Sequence, residues 1–212
     1  MLSIDNLRPF YNFSVIPGIV LAAGRSSRFG RPKALLPAGD RTFVSRILAT
    51  LEAAGVAGAV VVGRPDDEAL RDEVERAGVF ARMVTNPRAD EGQLSSLLAG
   101  LAAADRPGVR AVLVTLVDLP LVQARTVRAL IERARETQAP IVRLSCGGRH
   151  GHPVVFARAT FDALRHADPN LGAKTVLRVF EHAIVTVEVT DAGIFEDVDT
   201  AEDYVRLFGR EP

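Results

Sequence analysis

The run 109–117, VRAVLVTLV, is apolar almost throughout. A strand with one wet face would alternate apolar and polar residues. This one does not, so it needs cover on both faces. The segments around it are suited to supply that cover. Short apolar runs at 16–22, 59–62, 82–85, 140–144, 153–157 and 184–189 read as further strands. Between them, 43–54, 66–77, 94–104, 124–137, 159–166, 173–180 and 200–207 carry helical spacing. In the first of these, Phe43, Ile47, Leu48 and Leu51 share one face, and Gly55 follows where a helix would close. Thr200 and Asp203 form a capping box at the start of the last helix, with Asp in the usual Glu place. Strands alternating with helices predict an α/β fold: three layers, a mostly parallel sheet and helices on both faces.

The chain has 212 residues, enough for one sizeable core. Residues 1–14 read as an N-terminal arm, and 15–212 as a single domain. Acidic and basic residues balance at 26 each, so no strongly basic surface points to nucleic acid. No apolar stretch reaches the roughly 18 residues of a membrane span, and the N-terminus lacks the pattern of a signal peptide. Cys146 is the single cysteine, so no internal disulfide forms. These features together predict a cytoplasmic protein.

In an open parallel sheet, ligands bind beyond the carboxyl ends of the strands. There the first strand runs into LAAGRSSRFGRPK, 21–33. Small residues let backbone N–H groups approach a ligand, and Arg25, Arg28, Arg31 and Lys33 offset negative charge, a combination suited to a polyphosphate. Neither GxGxxG nor GxxxxGK[ST] is present, which leaves out the dinucleotide and P-loop patterns. Asp118 directly follows the strong strand 109–117, on the same predicted rim. A turn-capping role before Pro120 competes with a ligand role for it. Asp199 has a competing role as a helix cap, and Ser95 and Ser96 as capping or packing residues. His152 is as readily a structural hydrogen-bonding residue. Cys146 reads as a small buried hydrophobe.

LAAGRSSRFGRPKALLP resembles the signature LAAGxSxRFGxxKxLLP of the nucleotidyltransferases. The resemblance continues in order through EGQLSSLLAGL (91–101), LVDLP (116–120), GGRHGHPVVF (147–156) and EDVDTAEDY (196–204). Within the MobA-like NTP transferase superfamily the chain is most similar to the molybdenum cofactor cytidylyltransferases. The resemblance implies a Rossmann-like nucleotidyltransferase fold and transfer of CMP from CTP to the phosphate of a molybdopterin-type cofactor, with release of pyrophosphate. It implies catalytic roles for Arg28, Lys33 and Asp118. Leu21, Ala22, Ala23, Gly24, Arg25, Ser26, Arg28, Lys33 and Ser96 would bind the nucleotide. Asp118 and Asp199 would hold Mg²⁺, or Mn²⁺ in its place, with Asp197 a nearby alternative. Arg149, His150 and His152 would meet the acceptor in a loop. The LAAG form favours CTP, whereas guanylyltransferase relatives tend to carry LAGG. Relatives acting on molybdopterin often carry GDxGAR where this chain reads DPNLGAK, so Lys174 replaces an arginine. Alternatives are another phosphorylated acceptor, GTP as donor, and a reductase or a noncatalytic cofactor chaperone on the same scaffold. The expected partners are small molecules, with a molybdoenzyme as an optional receiver of the product.

Overall fold

The computed structural model describes residues 15–25 and 29–211. The expectations for residues 1–14, Ser26 and Arg28 lie outside the described residues. Seven strands form the main sheet: β1 (Gly18–Leu21), β4 (Ala59–Gly63), β5 (Ala81–Thr85), β6 (Ala111–Leu116), β7 (Ile141–Cys146), β8 (Arg149–Ala157) and β9 (Ile184–Glu188). Two short strands, β2 (Pro37–Ala38) and β3 (Arg41–Thr42), pair antiparallel in a separate hairpin. The helices are α1 (Phe43–Ala53), α2 (Glu68–Glu75), α3 (Gln93–Ala104), α4 (Ala124–Thr137), α5 (Phe161–Arg165), α6 (Lys174–Val179) and α7 (Ala201–Phe208).

The strand order is β5-β4-β1-β6-β8-β7-β9. All neighbours run parallel except at β8, which is antiparallel to both β6 and β7. The predicted three-layer α/β architecture is therefore present. Side chains of β1 alternate between its two faces. Val20 and Ala22 join a core with α1, α2 and α4, while Ile19 and Leu21 join one with α3, α5 and α6. The strong strand behaves as its composition requires: Ala111 to Val114 are all buried, with Leu113 on one face and Val112 and Val114 on the other.

A third, smaller core holds α7 in place. Tyr204 stacks on Phe43 and packs on Phe208, with ring centroids 6.1 and 4.7 Å apart. Its hydroxyl donates to the Pro37 carbonyl at 2.6 Å. The capping box at Thr200 and Asp203 is formed, with N–H groups donating in both directions at 3.0–3.1 Å. Together these contacts anchor the segment before α7, where Val198 is fully buried between Asp197 and Asp199.

One expectation needs correction. GGRHGHP is not a loop. Gly147 and Gly148, both with positive φ, make the turn, and Arg149 already begins β8. Polar residues at the rim end of a strand can pair their backbones while their side chains reach solvent, so the hydrophobic pattern under-reports the strand. The hairpin β2–β3 and the left-handed entry at Gly39 also escaped the apolar pattern, because each strand is only two residues long.

A buried carboxylate ties the rim together. Asp191, 3% exposed, accepts from the Gln123 backbone N–H (2.9 Å), the Thr126 hydroxyl (2.6 Å) and the Gly193 N–H (3.1 Å). It thereby joins the start of α4 to the 191–195 segment. Gly193 and Gly151 permit this packing. A Cβ on Gly193 would press on the Leu121 carbonyl, and one on Gly151 on the Ile194 carbonyl. Asp191→Ala strands three donors in the interior and is expected to cost about 3 kcal/mol, the scale of hydrogen bonds to a buried charged group. Urea unfolding of the variant measures this; a loss under about 0.5 kcal/mol, the range of an ordinary surface substitution, would contradict it.

Candidate functional site

The strand order reverses around β1. The chain steps outward from β1 to β4 and β5, then returns across β1 to β6. A crevice forms at such a switch point, beyond the carboxyl ends of the strands. Here it is a cleft of about 270 Å³. Leu21, Ala22, Ala23, Gly24 and Arg25 form one wall, Leu116, Val117 and Asp118 another, and Gly92, Gln93 and Ser96 at the start of α3 a third. Lys33 projects into it from a short 3₁₀ turn, Lys33–Leu35. Segments from four places in the sequence thus meet in one cavity.

Lys33 and Asp199 form an ion pair, Nζ to Oδ1 at 2.5 Å. The helix-cap role for Asp199 is not what the geometry shows. Thr200 is the N-cap, and the Asp199 carboxylate goes to the lysine. Asp118 sits beside them. Burial pushes its carboxyl above the ordinary value; Lys33 pulls the other way, and Asp199 and Asp197 add repulsion. Its Oδ1 is buried and makes no hydrogen bond. The backbone around it is firmly held, since the Asp118 carbonyl accepts from the Val198 N–H at 3.0 Å. That bond brings the two acidic segments together.

A buried, unbonded carboxylate oxygen next to a second carboxylate fits a hard divalent cation. Among the described residues no group of three or more His, Cys, Asp or Glu side chains converges as a self-sufficient metal site. Two protein carboxylates with substrate phosphates and water are a sufficient donor set for Mg²⁺ or Mn²⁺.

Arg25 is engaged at the mouth of the cleft. It forms a bidentate pair with Asp90 (2.9 and 2.7 Å), and Arg64 binds the same carboxylate at 2.6 Å. These cations hold the Asp90 carboxyl far below the usual range. Arg64 also donates to the Ala23 carbonyl at 3.0 Å, tying the base of the loop to β4. Arg25, Arg64 and Asp90 are mutually paired, which no local sequence signal marks, because they lie on three separate connections.

A second pocket of about 280 Å³ adjoins the first, and Leu21, Gln93 and Leu116 line both. Its walls are mostly apolar: Leu94, Leu97, Val114, Val154, Phe156, Leu171 and Leu177. Arg143, His150, His152 and Lys174 supply its polar edge. The sequence-predicted triad of Arg149, His150 and His152 is therefore split by the two-residue repeat of β8. His150 and His152 face the pocket, while the Arg149 guanidinium lies 3.9 Å over the Phe195 ring and lines neither pocket. Burial lowers the His152 pKa, and a hydrogen bond to the Val114 backbone opposes that shift. Its Nδ1 has no partner. Cys146 is half-buried at the end of β7 and lines neither pocket.

The chain matches the model of the MobA-like NTP transferase domain over residues 18–186. It belongs to that family. The match runs from β1 into β9 and includes Lys33 and Asp118, though not Asp199. The chain is 28% identical to a molybdenum cofactor guanylyltransferase of Xanthomonas euvesicatoria, over 92% of this chain and 95% of that protein. It is 27% identical to the purine catabolism protein PucB of Bacillus subtilis, over 88% and 93%. Among solved structures it is similar to Rv0371c of Mycobacterium tuberculosis, with a TM-score of 0.79 at 29% identity, covering 92% of this chain and 99% of that one. Rv0371c has also been crystallised in complex with manganese; that structure superposes with a TM-score of 0.75 at 28% identity. This MobA-like chain is a nucleotidyltransferase, and among its described residues no helix is long and apolar enough to cross a membrane.

Proposed function

We propose that this nucleotidyltransferase transfers CMP from CTP to the phosphate of a molybdopterin-type acceptor, with release of pyrophosphate. The observation that carries the reading is the pair of adjoining pockets. One is lined by backbone, Lys33 and carboxylates, the other is mostly apolar with a cationic and imidazole edge. The first suits a nucleoside triphosphate; the second suits a ring-bearing acceptor whose anionic group points toward the first.

In this reading Ala22, Ala23 and Gly24 receive the base through their backbone, and Ser96 contacts base or ribose. Lys33 binds the triphosphate and offsets charge that builds on the leaving pyrophosphate; Arg28 assists. Asp118 and Asp199 would hold a divalent cation, Mg²⁺ or Mn²⁺, which when bound supplies charge to the phosphate oxygens. An oxygen of the acceptor phosphate attacks the α-phosphorus, and the bond from that phosphorus to the bridging oxygen breaks. Positioning and charge neutralisation account for most of such a rate enhancement, because the leaving group is already good. His150, His152 and Lys174 orient the acceptor. An unbonded His152 Nδ1, on a ring whose burial disfavours the charged form, suits a ligand N–H or O–H better than a phosphate.

CTP is favoured by the pair Ala22 and Ala23, buried residues at the wall of the cleft. A glycine there would leave more room for a bicyclic base. GTP is the second reading, because the Xanthomonas relative is named a guanylyltransferase. The test is pyrophosphate release with CTP or GTP at equal concentration, in equal excess Mg²⁺, with and without molybdopterin. Release with CTP that requires molybdopterin is expected. Release with GTP alone reverses the base assignment, and no release with either overturns the acceptor.

A further inference from the structure

Asn86 directly follows β5 and is 2% exposed. Its backbone N–H donates to the Gly63 carbonyl at 2.8 Å, so the loop stays fastened to the end of β4. Its side chain spends every hydrogen-bonding group. The Arg88 backbone N–H donates to Oδ1 at 3.0 Å. A backbone N–H can only donate, so this contact identifies which end of the amide is oxygen. Nδ2 must then donate, and it faces two hydroxyls: Ser95 Oγ at 2.8 Å and Ser96 Oγ at 3.0 Å.

The two serines differ in what they do with their own hydrogen. Ser95 passes its hydrogen back to the backbone, to the Arg88 carbonyl at 2.7 Å and the Gly92 carbonyl at 2.8 Å. Ser96 accepts from Asn86 and donates to no described residue. It is 5% exposed, and its remaining surface lines the first cleft. A hydroxyl has one hydrogen to give. With Asn86 on its acceptor side, that hydrogen is directed at whatever fills the cleft.

We propose that Asn86 is a positioning residue that sets the polarity of Ser96, making it a hydrogen-bond donor to an acceptor atom of the bound nucleotide. The ligand feature selected is a carbonyl oxygen, ring nitrogen or ribose oxygen at that wall. The inference rests on the reading of the cleft as a nucleotide site. It adds a residue outside the motifs that suggested that reading. Asn86→Asp tests it with almost no change of shape. The carboxylate still accepts from Arg88 N–H, but now it also takes the Ser96 hydrogen, and the donor is withdrawn from the cleft.

CTP and GTP affinities are measured by calorimetry, and nucleotide KM and kcat by pyrophosphate release, for wild type, Asn86→Asp, Ser96→Ala and the double variant. Whichever nucleotide wild type prefers should bind about tenfold more weakly to each single variant, the scale of one hydrogen bond. The double variant should be no weaker than Ser96→Ala. KM should rise with kcat nearly unchanged, a split that general loss of folding would not produce. If the buried charge of Asn86→Asp prevents folding, Asn86→Ala replaces it. Freeing the hydroxyl to rotate is expected to weaken binding less than Ser96→Ala does, again with no added loss in the double variant. Wild-type affinity in both Asn86 variants, or losses that multiply in the double variant, overturns the proposal. Wild type that binds neither nucleotide overturns the nucleotide reading itself.

Discussion

Asp118→Asn is expected to melt at a higher temperature than the wild type in the absence of metal, while losing about a thousandfold or more in turnover. The stability gain follows from the surroundings of Asp118. Burial raises the Asp118 carboxyl pKa, and the repulsion of Asp199 and Asp197 works in the same direction; Lys33 only partly offsets them. The ionised side chain therefore weakens the fold at neutral pH. A neutral isostere removes that cost and leaves the Lys33–Asp199 pair standing. Gains from relieving such site strain are about 0.5–2 kcal/mol. In a chain of this size each kcal/mol is about 2–4 °C.

The pH dependence has a definite sign. Below the ordinary aspartate range the carboxyl is protonated in both folded and unfolded states, and the wild type carries no penalty. As pH rises through the unfolded value toward the raised folded one, the penalty appears, and above the folded value it is complete. The melting difference between variant and wild type should therefore be small in acid and open as pH increases. Activity moves the other way. In the proposed metal site the variant gives up an anionic ligand, and a loss of about 4 kcal/mol of charge stabilisation is a thousandfold. Adding Mg²⁺ and nucleotide should reverse the stability order, because only the wild type gains the linkage from tight binding. Scanning calorimetry across pH, with and without ligands, reads all of this. A variant that turns over at wild-type rate removes Asp118 from the metal site.

Lys33→Ala is expected to weaken nucleotide binding about 10- to 100-fold in Mg²⁺, the scale of a hydrogen bond to a charged group. Lys33 is largely sheltered, with 16% of its side chain exposed, and its ammonium already sits 2.5 Å from Asp199. Shelter of this kind reduces screening and lets one charge act strongly on a phosphate. The substitution also leaves Asp118, Asp197 and Asp199 without the lysine charge that pulls the Asp118 pKa downward. The Asp118 carboxyl should move further up, and metal-free stability should fall. Titration calorimetry with CTP and GTP measures the affinity. Unchanged binding of both nucleotides would remove Lys33 from the phosphate site. The two substitutions together should be far from additive, because they act within one charge cluster.

Much of the architecture was legible because burial on both faces leaves a run of apolar residues. The run 109–117 became β6, and the helices at 43–54 and 124–137 matched to within a residue. The exceptions have physical causes. β8 begins at Arg149, four residues before its apolar part, because its rim end pairs through the backbone and shows solvent-facing side chains. That same strand geometry turns Arg149 away from His150 and His152, a division that a loop reading has no way to predict. Asn86 and Asp191 are polar residues without a motif, and nothing in their neighbours announces that they are buried. They become visible as positioning groups only through their hydrogen bonds.

The sequence by itself determined the layered α/β architecture, the rim at the carboxyl ends of the strands and the residue types placed on it: a small-residue loop with cations, an aspartate after the strongest strand, and a second acidic segment before the last helix. These are local properties, written in periodicity and in short runs. Tertiary structure decided which of those residues act on one another. Lys33 meets Asp199 across 166 positions, Arg25 is committed to Asp90, and Asp118 is left with an unbonded oxygen. Such pairings depend on how the sheet brings distant connections to one edge, and on burial that sets the strength of each charge. Neither quantity is a property of any single stretch of chain.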